Sequence, residues 1–150
     1  MSWRLREEKL EIPFGKLYDD GVVDDWIGTY EDAGAPEDLR FAGAFAGDEL
    51  LGLLTWRPMT WNETLWLVDI RVQEAVRGRG IGSHLLAYLD RQAPAFQARG
   101  ISVETQINNY PAVRFYQKHG YRVAGFHDHL YTNTDVKLQN VAVYLFKELP

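Results

Sequence analysis

The chain contains no cysteine, and that one absence removes several chemistries at once. There is no disulfide framework, no thiolate metal site and no thiol nucleophile to consider. Long hydrophobic runs are missing too. No stretch approaches the about 20 apolar residues that a membrane-spanning helix needs, and the first eight residues lack the apolar core of a signal sequence. There is no basic stripe interleaved with aromatics, the footprint of nucleic-acid binding. Of the four histidines, His127 and His129 are expected on one face of a strand, but without a nearby third ligand they do not make a metal site. The expectation is a cytoplasmic protein with no membrane partner, no nucleic-acid partner and no metal.

What is present is ordinary for a folded domain: 46% hydrophobic and 25% charged residues over 150 positions, enough for one domain with a real core. The net charge of −5 is unevenly spread, because residues 1–50 hold 13 of the 21 acids but only five of the 16 bases. Hydrophobic periodicity predicts one or two short strands over 3–12, a helix over 19–30, a strand pair over 39–46 and 50–56, and a strand over 65–72. It then predicts a helix from 80 to about 93, a strand over 101–106, a helix over 108–119 closed by Gly120, and strands over 121–130 and 141–147. Arg57-Pro58 is expected to end the second strand of the pair, and Pro94 to end or kink the helix before it. Trp61, in the loop over 59–63, is read either as packing or as facing a substrate. The order implies an α/β fold, a mixed sheet sandwiched by helices.

One stretch organises the rest. Val68, Ile70 and Val72 alternate as in a strand, whereas Ile81, Leu85 and Leu89 recur at helical spacing. Between them lie Arg77-Gly78-Arg79-Gly80-Ile81-Gly82-Ser83. A glycine-rich turn opening a helix leaves backbone N–H groups unpaired at the positive end of the helix dipole, which makes an anion site. A P-loop is excluded because Gly82 is followed by Ser83-His84 rather than by Lys-Ser or Lys-Thr. A dinucleotide fingerprint matches at Gly78 and Gly80 but has Ser83 in its third place; Glu104 stands at the distance of a ribose-binding acid, so that reading stays open beside a tight turn with no ligand.

The spacing Arg-x-x-Gly-x-Gly, at Arg77, Gly80 and Gly82 with Val72 closing the strand before it, resembles the pyrophosphate motif of the GNAT superfamily of acyl-CoA-dependent N-acyltransferases. A second stretch strengthens the likeness: Asn108, Ala112, Tyr116 and then Gly120-Tyr121 resemble that superfamily's other signature. Within it, Val103-Glu104-Thr105-Gln106-Ile107-Asn108-Asn109, with Pro111-Ala112, Phe115-Tyr116, Lys118 and Gly120, is similar to streptothricin acetyltransferases. The resemblance implies a mostly antiparallel mixed sheet flanked by helices, with a splayed parallel strand pair holding the acyl-CoA. It implies acetyl-CoA as cosubstrate, held by the backbone near Ile70 and Val72, by the turn from Arg77 through Gly78, Arg79, Gly80, Ile81 and Gly82 to Ser83, and by Asn108 and Tyr116.

It also implies acetyl transfer to a primary amine of a small cationic molecule, with Tyr116 as the general acid for the departing thiolate. A phenol suits that role, since it stays protonated at neutral pH. The alternative is a core tyrosine. Asn108 is read as a pantetheine ligand, with helix capping as its alternative, and Asn109 as the cap. Asp69 and Glu104 are acids inside apolar strands, where an unpaired charge is costly. Each is read as a proton acceptor or amine anchor, or else as a partner of Arg71, Arg122 or the backbone. A water relay is a further route for the proton. The N-terminal acids Asp19, Asp20, Asp24, Asp25, Glu31 and Asp32 either attract a cationic acceptor or form a solvated helix face. A catalytically silent coenzyme A-binding module and a protein or peptide N-acetyltransferase are the alternative functions, and a monomer or homodimer is expected.

Overall fold

The computed structural model describes residues 4–6 and 38–150. The helix predicted over 19–30, with its acids, lies outside the described residues, as does most of the segment 3–12. Among the described residues seven strands form one sheet: β1 (Arg4–Arg6), β2 (Arg40–Ala46), β3 (Glu49–Met59), β4 (Thr64–Val72), β5 (Gly100–Gln106), β6 (Arg122–His127) and β7 (Ala142–Glu148). Their spatial order is β1-β2-β3-β4-β5-β7-β6. Every neighbouring pair is antiparallel except β4 with β5. Two helices, α1 (Ile81–Gln92) and α2 (Tyr110–Lys118), complete the described architecture.

The strand pair predicted before residue 57 forms around a turn with Gly47 at φ 61°. Its second strand does not stop at Arg57-Pro58 but continues to Met59. The reason is local. β2 begins at Arg40, opposite Trp56, so beyond Trp56 the β3 strand has a neighbour only on the β4 side. Proline lacks a donor and is tolerated where one side of a strand is unpaired. β6 is shorter than the predicted 121–130 and ends at His127, with His129 in the turn beyond it. The two histidines therefore do not share a strand face.

Helix α1 packs its apolar stripe on the sheet. Ile81, Leu85, Leu86 and Leu89 are fully buried, together with Leu51 and Leu54 of β3, Leu65 and Leu67 of β4, Ile101 and Val103 of β5 and Leu145 of β7. Burying one such side chain stabilises the fold by about 1.5–3 kcal/mol. The helix ends at Gln92, and Pro94 sits in a single 3-10 turn, Ala93–Phe96, closed by Gln97 in the left-handed conformation. α2 begins after Asn109, whose side chain accepts a hydrogen bond from the Ala112 N–H at 3.4 Å. Gly120, at φ 88°, ends it as predicted.

The register of β4 opens the sheet. Thr55 faces Asp69 while Trp56 faces Leu67, so Val68 is an extra residue, a β-bulge. The parallel pairing with β5 runs only from Thr64–Gly100 to Leu67–Val103. Beyond the bulge, β4 continues through Val72 and β5 through Gln106 without pairing to each other. This is the splayed parallel pair expected from the resemblance.

The start of β5 tests this packing. A Cβ on Gly100 would lie 2.1 Å from Cζ of Phe146 and 2.7 Å from the backbone oxygen of Lys147. Gly100→Ala is expected to destabilise the protein by about 1–3 kcal/mol, seen as a thermal midpoint lowered by roughly 2–4 °C per kcal/mol. An unchanged midpoint would contradict the close approach of β5 and β7.

Candidate active site

The gap between β4 and β5 is a small polar cavity of about 230 Å³. Val68, Asp69 and Ile70 line it from β4, Glu104, Thr105 and Gln106 from β5, Asn109, Ala112 and Tyr116 from the region of α2, and Tyr131 from the loop after β6. The three residues given catalytic roles in the sequence, Tyr116, Asp69 and Glu104, thus meet on one cavity. Asn108 is not among its lining residues, whereas Asn109, read as a cap, both caps α2 and lines the cavity.

Backbone direction follows from the ladder. Gln73 N–H donates to the Leu51 oxygen at 2.9 Å, so Gln73 faces β3. In an antiparallel pair successive residues alternate, so Ile70 and Val72 turn their N–H and C=O groups the other way, toward the gap. One of those groups has a partner: Arg77 Nε donates to the Val72 oxygen at 3.1 Å. Arg77 therefore braces the open edge of the strand, and Arg79 is exposed.

The glycines of the turn serve different ends. Gly78 and Gly80 have φ of 78° and 83°, the left-handed region that disfavours side chains. Gly82 is packed closely, because a Cβ there would meet the Phe115 ring at 3.0 Å. Ile81 is in the core, so only its backbone faces the turn. The first N–H groups of α1, at Ile81, Gly82 and Ser83, have no acceptor within the helix. His84 is exposed and its Nδ1 lies 2.8 Å from the Gly80 oxygen, which makes it a helix-surface histidine. The Ser83 hydroxyl lies 2.8 Å from Nε2 of His119, while Nδ1 of His119 lies 2.7 Å from the Phe115 oxygen. A carbonyl only accepts, so Nδ1 of His119 carries a proton and donates to the Phe115 oxygen. The Ser83–His119 contact ties the start of α1 to the end of α2, and nothing in the motif spacing pointed to it.

The acids are held differently. Arg71 Nε donates to Asp69 Oδ2, so Asp69 has the nearer of its two expected partners. Arg122 pairs instead with Glu148 at 3.6 Å on the surface. Glu104 accepts from the Tyr131 hydroxyl, and burial raises its pKa. Tyr116 is 5% exposed, and burial first, then the charges of Asp69 and Glu104, push its pKa upward, so it remains a proton donor. Trp61 is 80% exposed and does not pack.

Tyr131 was missed because it lies in a segment that reads as polar loop. The signal was present in Thr132-Asn133-Thr134-Asp135. Asp135 is fully buried and accepts from the backbone N–H of Tyr131 at 2.9 Å, the N–H of Thr132 at 2.8 Å and the Thr132 hydroxyl at 2.6 Å. A short polar residue that gathers nearby N–H groups is a recognisable loop-forming device. Among the described residues no three metal-binding side chains cluster, and no helix is long and apolar enough to cross a membrane.

Comparison with known proteins fits this geometry. A sheet that splits at a bulge, beside a glycine-rich helix start, is the architecture of the GNAT class. The model of the acetyltransferase (GNAT) family matches residues 3–121, and the chain belongs to that family. It is similar to a streptothricin acetyltransferase of Escherichia coli, with 31% identity over 115 residues, covering 77% of this chain and 66% of that protein. A streptothricin acetyltransferase of Streptomyces lavendulae is 31% identical over 135 residues, covering 89% of this chain and 70% of its own. Among solved structures, a candidate streptothricin acetyltransferase of Bacillus anthracis in complex with acetyl coenzyme A superposes with a TM-score of 0.69 at 26% identity, covering 81% of this chain and 68% of that one. The chain thus spans about two thirds of the length of these relatives.

Asp135 offers a direct test of how the loop is built. Asp135→Ala leaves two backbone donors and a hydroxyl without their acceptor and is expected to cost about 1–3 kcal/mol. Faster amide exchange at Tyr131 and Thr132 would report it. Unchanged exchange at both would show that the loop is held by something else.

Proposed function

We propose that the protein transfers an acetyl group from acetyl-CoA directly to a primary amine of a small cationic molecule. The observation that carries this reading is the convergence of Tyr116, Asp69 and Glu104 on the cavity where β4 and β5 part. The donor set suits coenzyme A: positive-φ glycines and uncapped helix N–H groups for a pyrophosphate, and an unpaired strand edge for an amide-bearing arm. The turn from Arg77 to Ser83 would hold the pyrophosphate, and the N–H groups of Ile70 and Val72 would orient the arm and polarise the thioester carbonyl. Acetyl-CoA supplies the activated acyl group.

The chain's own residues do the rest. Asp69 and Glu104 hold an ammonium and take up its proton, directly or through water. Tyr116 gives a proton to the departing thiolate, its phenol kept protonated by burial and the two nearby acids. A cavity of about 230 Å³ is below the roughly 300–1,000 Å³ of sites that enclose a drug-sized ligand, so it suits an aminoalkyl arm, with the body of the acceptor outside. A lysine-like arm of a streptothricin-type antibiotic or a polyamine has that shape, and the relatives' names favour the former. A cytoplasmic protein without a metal remains our expectation.

Thiol release from acetyl-CoA with a panel of amines tests the reaction; no release above background with any amine, alongside tight coenzyme A binding, would favour a silent binding module. Tyr116→Phe is expected to lower kcat by about 10²–10⁴-fold with little change in KM for acetyl-CoA. An unchanged kcat, measured where chemistry limits the rate, would return Tyr116 to the core. Because burial raises the Glu104 pKa, its carboxylate is lost on acidification at a higher pH than an ordinary glutamate's. The acid limb of acceptor kcat/KM should therefore lie above the usual carboxylate range and disappear in Glu104→Gln.

A further inference from the structure

The two acids of the cavity are not equivalent. Asp69 already holds a guanidinium, that of Arg71. Glu104 accepts from a phenol, a neutral donor, and among the described residues no cation pairs with it. Other groups near Glu104 are Asp69 on β4, Tyr116 on α2 and Tyr144, its cross-strand neighbour on β7, none of which supplies positive charge. Glu104 is thus oriented but not neutralised. Its orientation comes through a chain of contacts that starts at buried Asp135, which fastens the Tyr131 backbone, and ends at the Tyr131 hydroxyl on Glu104 Oε1.

We propose that Tyr131 is a specificity-determining positioning residue that makes Glu104 an anchor for ammonium in preference to guanidinium groups. The inference rests on the reading of Glu104 as the acceptor's anchor. A carboxylate receives a guanidinium best through two parallel N–H···O bonds, one to each oxygen. With Oε1 already accepting from the phenol, one arm of that fork must share its oxygen with the phenol hydroxyl, which weakens the paired geometry, while a point-like ammonium binds at the other oxygen without that competition. The same phenol limits the rotamers of a long side chain, so less freedom is lost when the ammonium binds. The acceptor class favoured in this way is a terminal primary amine on an unbranched arm, with arginine-like ends disfavoured by hydrogen-bond geometry and not by charge.

Calorimetric titration of the coenzyme A-saturated protein with pentylamine and with pentylguanidine tests this. The parent should bind pentylamine more tightly. In Tyr131→Phe the ring remains and both oxygens become available, so the preference should shift toward pentylguanidine by about tenfold, the scale of one hydrogen bond to a charged group. Coenzyme A affinity should be the same in both proteins. An equal preference in parent and variant, or no preference in the parent, overturns the role of Tyr131. Glu104→Gln separates the anchor from its positioning. If it leaves pentylamine affinity unchanged, the anchor itself is misassigned. If it weakens pentylamine while Tyr131→Phe shifts nothing, the anchor stands and the positioning role falls.

Discussion

The extra residue at Val68 is the constraint on which the site depends. A parallel strand pair is normally closed by its ladder, with every backbone group spoken for. Here β4 is kinked by a bulge at the position where pairing to β5 stops, so five residues of one strand and three of the other diverge inside a continuous sheet. The cost of leaving strand edges unpaired is confined to that wedge, because β3 holds β4 on its far side and β7 holds β5. The outcome is a notch with backbone donors along one wall and acids along both, placed at the sheet's centre.

Helix α2 lines the notch with Ala112 and Tyr116, and its contact with α1 is specific. Gly82 admits the Phe115 ring, and Ser83 meets His119. The turn that would receive an anion and the helix that carries Tyr116 are therefore parts of one packed unit. Buried Tyr116 has its ring centroid 5.5 Å from both Phe115 and Tyr121, which leaves the phenol little freedom to leave the cavity.

Much of this was legible in the chain. Strand alternation followed by helical spacing located β4 and α1, and glycine chemistry located the turn between them. The role of Gly82 was less legible: it reads as a third anion-site glycine, yet a ring from a residue 33 positions later packs closely against it. Arg77 reads as phosphate charge and is found bracing a strand carbonyl. Pro58 reads as a strand end and is tolerated because β3 there runs past the start of β2. In each case the deciding fact is a neighbour distant in sequence. Tyr131 is the clearest instance, since its hydroxyl bond to Glu104 spans 27 residues and depends on a loop folded around Asp135. The N-terminal acids gave a charge argument that lies outside the described residues.

The Ser83–His119 contact has a consequence for how such a sequence can change. It joins the two stretches that otherwise look like separate signatures, each readable alone. Because the imidazole meets the hydroxyl at one nitrogen and the Phe115 carbonyl at the other, a change at either end of this contact leaves a partner unmatched at the other. A chimaera taking its glycine turn from one homologue and its tyrosine helix from another would inherit two intact motifs and a mismatched seam. The heritable module in this fold is the pair of helices together with their seam.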